Sequence, residues 1–408
     1  MKKSSHKPSQ KGENRPSGFP NERGAALLIV MVMVALMAAF SVEFSYNTRV
    51  NLRMAGNLEK EVQAYYHARS AVEITRMVIR GQAMVDQMLG MAAQFMPNIK
   101  KQNIEMYNFA PKFVEIYNTG KVDLFGQDLF DLSGQTGIGV KKGAMEVTVD
   151  GEDGRANVNQ VESVQSKRAL FQHLFGFLQG PKPEGVGLTE EDKERAELIL
   201  NIIDWVDSDE VKTDIDQNGN FSATGGPEDG AYARYDYNSK NAKMDSIDEL
   251  RFIDGMDDET FCKIRDKVTV YATEKLNVNT ADIGLLKAVI CESLAPETQA
   301  VACGGAGAAT LIPPIELVGE YIEICRNIKK MLFTSPFSSA NSFAKFFSKL
   351  PPELAPLFPV NANAMKQVVG VKSKIVRIEA TGTVGNTQKE ITAVIDTGSG
   401  KYVYWHEN

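Results

Sequence analysis

The chain has 408 residues, of which 43% are hydrophobic and 24% are charged, as in a globular protein. This composition excludes a polytopic membrane protein, and the length favours about two or three folded units. A net charge of −7 argues against a large surface that binds nucleic-acid phosphates.

One membrane-length apolar segment lies near the N-terminus. A polar and basic leader, residues 1–24, ends in Arg23 and Gly24, and residues 25–42 carry no charge. At 1.5 Å per residue, these roughly 18 residues extend about 27 Å, just enough to cross a hydrocarbon core. The segment is longer than the apolar region of a usual signal peptide, and the basic leader favours a cytoplasmic N-terminus. We expect a single transmembrane helix, with the rest of the chain across the membrane.

Helical periodicity continues beyond the apolar segment. Apolar side chains such as Leu58, Val62 and Tyr65 recur at spacings of three or four residues. This pattern predicts one helix that runs to about Arg80, within an N-terminal helical region of residues 25–95. A helix that begins in a bilayer and continues amphipathically into solvent needs a protein partner along both halves.

A basic leader that ends in glycine, followed by an unbroken apolar helix, resembles the N-terminus of type IV pilins and type II secretion pseudopilins. In that family a prepilin peptidase cuts after the glycine, here between Gly24 and Ala25. Ordinary members carry glutamate at the fifth mature position, which here is Ile29, and Glu43 lies too far along to replace it. The K-type minor pseudopilin is the member that lacks this glutamate. A plain signal anchor that happens to contain Gly24 is the alternative.

The middle and the end of the chain differ in their patterns. Residues 96–142 show no clear periodicity, and we interpret them as a surface insertion. Met145, Val147 and Val149 then alternate with polar residues and predict a strand. A long, mainly helical stretch follows. Strand signals return only over residues 373–408, as three short antiparallel strands joined by turns.

This order of elements predicts an α+β fold, in which a long N-terminal helix lies on a small antiparallel sheet that a large, mainly α-helical domain interrupts. The strand at Met145 would pair with the C-terminal strands, which keeps the ends of the insertion together. Pilin-like domains have the same helix-on-sheet organisation. The boundaries that we predict are 1–24 for the leader, 25–95 for the N-terminal helix, 96–160 for the first part of the pilin-like domain, 161–370 for the inserted helical domain and 371–408 for the last strands.

The acidic stretch after residue 203 contains candidate metal ligands. Asp214, Asp216 and Asn218 alternate ahead of Gly219, as at the start of an EF-hand-type calcium loop. The bidentate glutamate expected at the twelfth loop position is missing, because Gly225 stands there. We expect a calcium ion in a looser loop; a solvated acidic loop is the alternative. The other candidate ligands are Asn220, Glu228, Asp229, Asp207, Asp209 and Asp236.

Catalysis has little support in the sequence. A pair of carboxylates in the acidic stretch could act as acid and base, but no histidine lies nearby to complete a site. Motifs for a phosphate-binding loop, a zinc protease or a serine hydrolase are missing. We therefore expect no enzymatic activity. The histidines are His6, His67, His173 and His406.

The cysteines are clustered in the C-terminal half of the chain. None forms a CxxC pair, so a zinc site is poorly supported. Outside the cytoplasm, these cysteines can form two disulfides, with three possible connectivities. Free buried thiols, which pack as small hydrophobic groups, are the alternative. The four residues are Cys262, Cys291, Cys303 and Cys325.

Residues 248–264 contain two apolar helical segments around Gly255, much like a helix-hairpin-helix or SAM-like unit. Residues 277–290 could start a second such unit. These modules often hold DNA phosphates through backbone amides at the hairpin. Acidic side chains at this turn should repel phosphate, so we expect the fold without nucleic-acid binding. They are Asp254, Asp257, Asp258 and Glu259.

Motifs along nearly the whole mature chain resemble the minor pseudopilin K family of type II secretion. They include "DGRANVN", "IIDWVDSDE", "EDGAY", "SIDELRFIDGM" and "KVTVYATEKLNVNTAD". The apolar N-terminal segment and the closing "RIEATGTVGNTQKEITAVI" complete the set. Such an ordered set is far more specific than any single motif.

The resemblance implies a pilin-like fold with an inserted helical domain, Ca²⁺ in that insertion and processing by prepilin peptidase. It places the chain in the inner membrane, with a periplasmic C-terminal domain. It also implies a position at the pseudopilus tip beside minor pseudopilins I and J, where the protein initiates or caps an assembly that exports folded proteins across the outer membrane. In these families the glutamate of an incoming subunit neutralises the N-terminal amine of the subunit already placed. A subunit at the tip has no subunit above it, so its glutamate would have no amine to neutralise.

Two other functions remain open from the sequence. A membrane-anchored helix-hairpin-helix protein could bind DNA outside the cytoplasm, as in DNA uptake. A minor pilin of a type IV pilus would share the leader and the long helix. Salt-dependent DNA binding would favour the first alternative, and co-purification with pilus components would favour the second.

Overall fold

A computed structural model gives the fold of the protein. The chain divides into two compact units, Met1–Val62 and Gln63–Asn408. The residues that the structure describes are 22–95, 104–124, 127–131, 140, 142–179, 190–215, 221–230, 232–271, 275–303, 313–331 and 334–408.

A single long helix opens the described part of the chain. Helix α1 spans Glu22–Arg80, and α2 spans Gln82–Phe95. Of the helices within the described ranges, α1 provides the one apolar segment long enough to cross a membrane, with a mean hydropathy of 2.7 and 0% of that segment buried against protein. The prediction of one helix that ends at about Arg80 is confirmed.

The C-terminal strands form one antiparallel sheet with the strand predicted at Met145. The sheet has four strands, with the strand at Met145 at one edge and the last strand of the chain at the other. Met145 pairs with Gly382, and Val147 pairs with Ala380, so the predicted pairing across the insertion is confirmed. The α+β class with a small antiparallel sheet is confirmed as well. The strands are β3 (Ala144–Gly151), β10 (Ile375–Val384), β11 (Thr387–Asp396) and β12 (Tyr402–Glu407).

The part of α1 in the second unit packs directly on this sheet. Ala68, Ala71 and Val72 are fully buried against β10 and β11, where Ala380 and Ala393 are also fully buried. Small side chains on both surfaces let the helix backbone approach the strands closely. The resulting core is separate from the larger core of the inserted helices.

The interpretation of residues 96–142 as a surface insertion is wrong for the part that packs on the sheet. Helix α3 (Ala110–Thr119) lies against β3, and Tyr107, Ala110 and Val114 are buried. The Asn118 side chain donates to the carbonyl oxygen of Met145 and accepts from its N–H, at 2.5 and 2.9 Å. These apolar positions have helical spacing, but the polar and glycine-rich residues around them hide it. A short hairpin follows, with strands β1 (Lys121–Leu124) and β2 (Gln127–Asp131).

The inserted domain between β3 and β10 is mainly helical, with short strand pairs. Its core includes large side chains that are fully buried, such as Ile199, Ile202, Leu286 and Phe343. The helices within the described ranges are α4 (Val164–Gln179), α5 (Glu190–Val206), α6 (Asp258–Ile264), α7 (Ile283–Glu292), α8 (Pro296–Ala302), α9 (Pro314–Met331), α10 (Ala340–Phe347) and α11 (Ala362–Val368). The short strands are β4 (Ala156–Asn157), β5 (Val211–Ile215), β6 (Phe221–Pro227), β7 (Val268–Thr269), β8 (Leu276–Asn277) and β9 (Val369–Gly370).

Buried carboxylates join the insertion to the sheet where the chain leaves β3. Glu152 is fully buried and forms an ion pair with Arg377 of β10. Asp153 Oδ2 accepts the N–H groups of Lys374 and Ile375 at 2.6 and 3.1 Å. Because these bonds connect the first and last residues of the insertion, the chain enters and leaves it at neighbouring points.

The segment for which a helix-hairpin-helix unit was predicted has an acidic surface. A 3₁₀ helix at Ile247–Phe252 is followed by Gly255, which has φ of 85°, and then by α6. Asp257 caps α6 by accepting the N–H of Thr260. The side chains of Asp258 and Glu259 are 88% and 79% exposed. Both carboxylates form exposed ion pairs, Asp258 with Arg251 and Glu259 with Lys263.

The cysteines form one disulfide, where two were expected. Cys291 at the end of α7 is bonded to Cys303, which follows α8. Cys262 on α6 is exposed, and Cys325 on α9 is half-buried; both carry free thiols. The two free cysteines therefore do not form the second of the two expected bridges.

Candidate metal centre

The end of α5 carries two buried carboxylates, Asp204 and Asp207. The apolar face of α5 is buried in the domain core and holds this end of the helix in place. The spacing of three residues puts both carboxylates on the same side of the last turn. A helix C-terminus has partial negative charge, so it adds to the cost of burying two anions there.

A hairpin brings a third carboxylate to this helix end. Strands β5 and β6 are antiparallel, with Val211 opposite Pro227. Glu228 follows β6, and its N–H donates to the carbonyl oxygen of Glu210 at 3.4 Å. The hairpin thereby returns the chain to the residues just after α5.

Asp204, Asp207 and Glu228 form a compact group of carboxylates. One oxygen from each lies within 4.8 Å of the others. The residues are 4%, 7% and 4% exposed, respectively. Burying several carboxylates together is costly unless a cation or hydrogen-bond donors compensate their charge.

Protein donors satisfy only part of this group. Asp204 Oδ1 accepts the N–H of Thr213 at 3.0 Å, and Asp207 Oδ2 forms an ion pair with Lys167. Asp207 Oδ1 and both oxygens of Glu228 are buried without a hydrogen-bond partner. The Ser239 hydroxyl donates to the carbonyl oxygen of Asp204 at 3.3 Å. The unpartnered oxygens are therefore the ones that a cation would bind.

The titration behaviour of the group reflects the same crowding. Burial raises the pKa of Glu228 to about 8, and the charges of Asp204 and Asp207 add to this shift. Burial also raises the pKa of Asp204 to about 6. Without a cation, the three carboxyl groups do not all stay ionised at neutral pH.

The donor set fits a hard divalent cation. All of the group's oxygens come from carboxylates, which are the ligands preferred by Ca²⁺. The unpartnered oxygens of Asp207 and Glu228 show that the residues present suit such an ion. Main-chain carbonyls and water usually complete a shell of 6–8 oxygens around calcium.

The group contains only some of the ligands predicted from the sequence. Asp207 and Glu228 belong to it, while Asp204 was missed although its spacing from Asp207 at the end of an amphipathic helix was a usable signal. Predicted ligands that lie exposed and outside the group are Asp209, Asp214, Asp229 and Asp236. Those that lie outside the described residues are Asp216, Asn218 and Asn220.

The exposed acids near the group bind the local backbone. Asp209 Oδ1 accepts the N–H of Val211 at 3.0 Å, and Asp229 Oδ1 accepts the N–H of Ser239 at 3.0 Å. Asp214 Oδ1 accepts the N–H of Ile215 at 2.8 Å. These bonds shape the turns that position the buried carboxylates.

The predicted cleavage site lies at the start of α1. Gly24 and Ala25 are exposed, and a Cβ added at Gly24 would meet no atom within 4 Å. Ile29, one turn further along, is 61% exposed.

Comparisons with known proteins agree with the sequence resemblance. A family model described as "Type II secretion system (T2SS), protein K" matches residues 154–273, which include the three buried carboxylates. The type II secretion system protein K of Pectobacterium carotovorum subsp. carotovorum is 25% identical over 290 residues, which cover 67% of this chain and 72% of that relative. The protein of the same name from Aeromonas hydrophila is 26% identical over 261 residues, covering 63% of this chain and 66% of the relative.

A solved structure is also similar to the chain. It is the crystal structure of the GspK-GspI-GspJ complex from the enterotoxigenic Escherichia coli type 2 secretion system, with 16% identity and a TM-score of 0.41. The match covers 66% of this chain and 81% of the solved one. The chain is therefore similar to type II secretion system protein K, through the family model over residues 154–273 and through both named relatives.

Proposed function

We propose that the protein occupies the tip of the type II secretion pseudopilus, where it initiates or caps assembly for the export of folded proteins across the outer membrane. The observation that carries this proposal is the uncharged side chain of Ile29, where subunits of the shaft carry glutamate. A subunit at the tip has no neighbour above it whose amine needs this charge. The helical domain inserted between β3 and β10 supports the same position, since its bulk would obstruct stacking of a further subunit.

The partners in this proposal are minor pseudopilins I and J. Isolation of the full-length protein from membranes under mild detergent is the test. We expect I and J to co-purify with it, and a label on the inserted domain to mark one end of assembled pseudopili. Labelling along the whole length, or co-purification with type IV pilus components, would contradict the tip position.

Maturation by prepilin peptidase is part of the proposal. We expect cleavage between Gly24 and Ala25, which leaves residues 25–42 as an inner-membrane anchor and residues after it in the periplasm. Mass spectrometry of the membrane-extracted protein should find a mature N-terminus at Ala25. The substitution Gly24→Val should leave the leader attached, and Gly56→Val, on the same helix, should not. A mature protein that keeps its leader, or that begins elsewhere, would refute this step.

The cofactor in this proposal is calcium, held by Asp204, Asp207 and Glu228. The ion would cancel the mutual repulsion of these buried carboxylates and attach the β5–β6 hairpin to the end of α5. Its role is structural and not enzymatic, because the group is buried and a substrate does not reach it. Main-chain carbonyls and water would complete the shell.

A further inference from the structure

Lys167 places a positive charge beside the metal centre. It lies in the first turn of α4, a helix that packs on α5. Its Nζ forms an ion pair with Asp207 Oδ2, and the two side chains are 17% and 6% exposed. Forty residues separate the two along the chain. A lysine buried to this degree is held in place by its charge partner, since an unpaired ammonium would be costly there.

The lysine changes the charge that a metal ion meets. Three carboxylates and one ammonium leave a formal charge of −2, which a single divalent cation balances. Burial raises the pKa of Asp207, and the Lys167 ammonium acts in the opposite direction. The ion pair with Lys167 therefore compensates part of the negative charge of the group.

The ion pair leaves the second oxygen of Asp207 free. Lys167 occupies Oδ2, whereas Oδ1 is buried without a partner, as are both oxygens of Glu228. A metal ion on these free oxygens would lie close to the ammonium of Lys167. The positive charges of the metal ion and of the Lys167 ammonium would repel each other appreciably, because a buried site screens charges less than water does.

We propose that Lys167 is a resident cation of the metal centre, which stabilises the centre when it is empty and weakens the binding of calcium to it. This inference rests on the proposed calcium site. Lys167 acts through Asp207 and is a positioning residue, not a ligand. Calcium and the Lys167 ammonium therefore compete for the negative charge of the carboxylates. Because Lys167 belongs to α4, its ion pair also connects the metal centre to that helix.

Three substitutions test the proposal in the full-length protein in detergent, with calcium chloride as the ligand. Lys167→Met should tighten calcium binding by about tenfold or more in calorimetric titration, because it removes the competing charge. The same variant should unfold at a lower temperature than wild type in chelator and show a larger stabilisation by calcium. Lys167→Arg keeps the charge, and its dissociation constant should stay within about threefold of wild type. Lys193→Met removes a lysine from an exposed ion pair and should behave as wild type.

The outcomes distinguish a failure of the proposed role of Lys167 from a failure of the proposed calcium site. Wild-type protein that binds no calcium would overturn both. Wild-type binding together with unchanged or weaker binding by Lys167→Met would overturn the role of Lys167 alone. If Lys167→Met is unfolded in chelator, Lys167→Gln retains a hydrogen-bond donor without the charge and should show the same tighter binding. A lysine with a merely structural role would lower stability without tightening calcium binding.

Discussion

Removal of calcium with a chelator is expected to lower the midpoint of thermal unfolding, and the variant Glu228→Gln should lose this response. Both oxygens of Glu228 are buried without a partner, so the ion would supply their main compensating interaction. A ligand at 100 times its dissociation constant stabilises the folded state by about 2.7 kcal/mol. This corresponds to a shift on the order of 3–4 °C for a protein of this size. Differential scanning calorimetry with calcium and with chelator measures it.

The matched control for this result is Asp229→Asn. Asp229 neighbours Glu228 in sequence but is exposed and lies outside the carboxylate group. The Asn variant should therefore keep a calcium response close to that of wild type. A wild-type midpoint that does not change with calcium would contradict the metal centre, and an equal response of Glu228→Gln would exclude Glu228 as a ligand.

The same experiment in chelator should show an unusual pH dependence. The folded pKa of Glu228, about 8, lies above its ordinary value of 4.5, so the folded state binds more protons between these values. Stability from this group is fully present below pH 4.5 and is lost as the pH rises to about 8. The slope is at most about 1.4 kcal/mol per pH unit for one proton. Calcium should reduce this slope, because it favours the ionised carboxylate; an unchanged slope would argue against binding at Glu228.

The second large effect is expected at Gly382, where the sheet meets α1. A Cβ at this position would lie 1.9 Å from the carbonyl oxygen of Ala64 and 2.6 Å from the backbone nitrogen of Ala68. Backbone atoms of a helix cannot move aside as a flexible side chain does, so Gly382→Ala must push the helix away from β10. We expect a loss of about 3 kcal/mol or more in the free energy of unfolding, measured by chemical denaturation.

Gly176→Ala is the control for this substitution. Gly176 lies inside α4, and a Cβ there would meet no atom within 4 Å. Because alanine favours a helix over glycine, we expect this variant to be equal to wild type or more stable by up to about 1 kcal/mol. If Gly382→Ala unfolds at the same denaturant concentration as wild type, α1 does not pack on the sheet as closely as the structure indicates.

Together these effects divide the second unit into parts with different roles. The α1–sheet core depends on close backbone packing at Gly382. The inserted domain has its own core and the carboxylate group. In the proposed tip position, calcium would stabilise the part that distinguishes this subunit from those of the shaft.

Local sequence patterns were sufficient for the main elements. The helix that ends at Arg80 and the strand at Met145 followed from periodicity, because a face buried along one element repeats at that element's own spacing. The antiparallel pairing followed from the order of elements. The burial of Tyr107 and Val114 could not be predicted in the same way. A few apolar residues among polar ones do not indicate which side of the segment is buried until the position of the sheet is known.

The cysteines show the same limit. Their number and position indicated disulfides, but the pairing of Cys291 with Cys303 depends on how α7 and α8 are placed. Spacing along the chain does not determine which sulfur atoms meet. No feature of the neighbouring sequence distinguished the free thiols of Cys262 and Cys325 from the bonded pair.

The sequence by itself was enough for the resemblance to protein K of type II secretion, the apolar N-terminal helix, the α+β order of elements and the acidic character of the candidate site. The tertiary structure alone decided which acids come together. Asp204 and Asp207 meet Glu228 because a hairpin reverses the chain, and Lys167 joins them because α4 packs on α5. Neither contact has a local signature, since each joins residues that only the folding of separate elements brings within reach of one another.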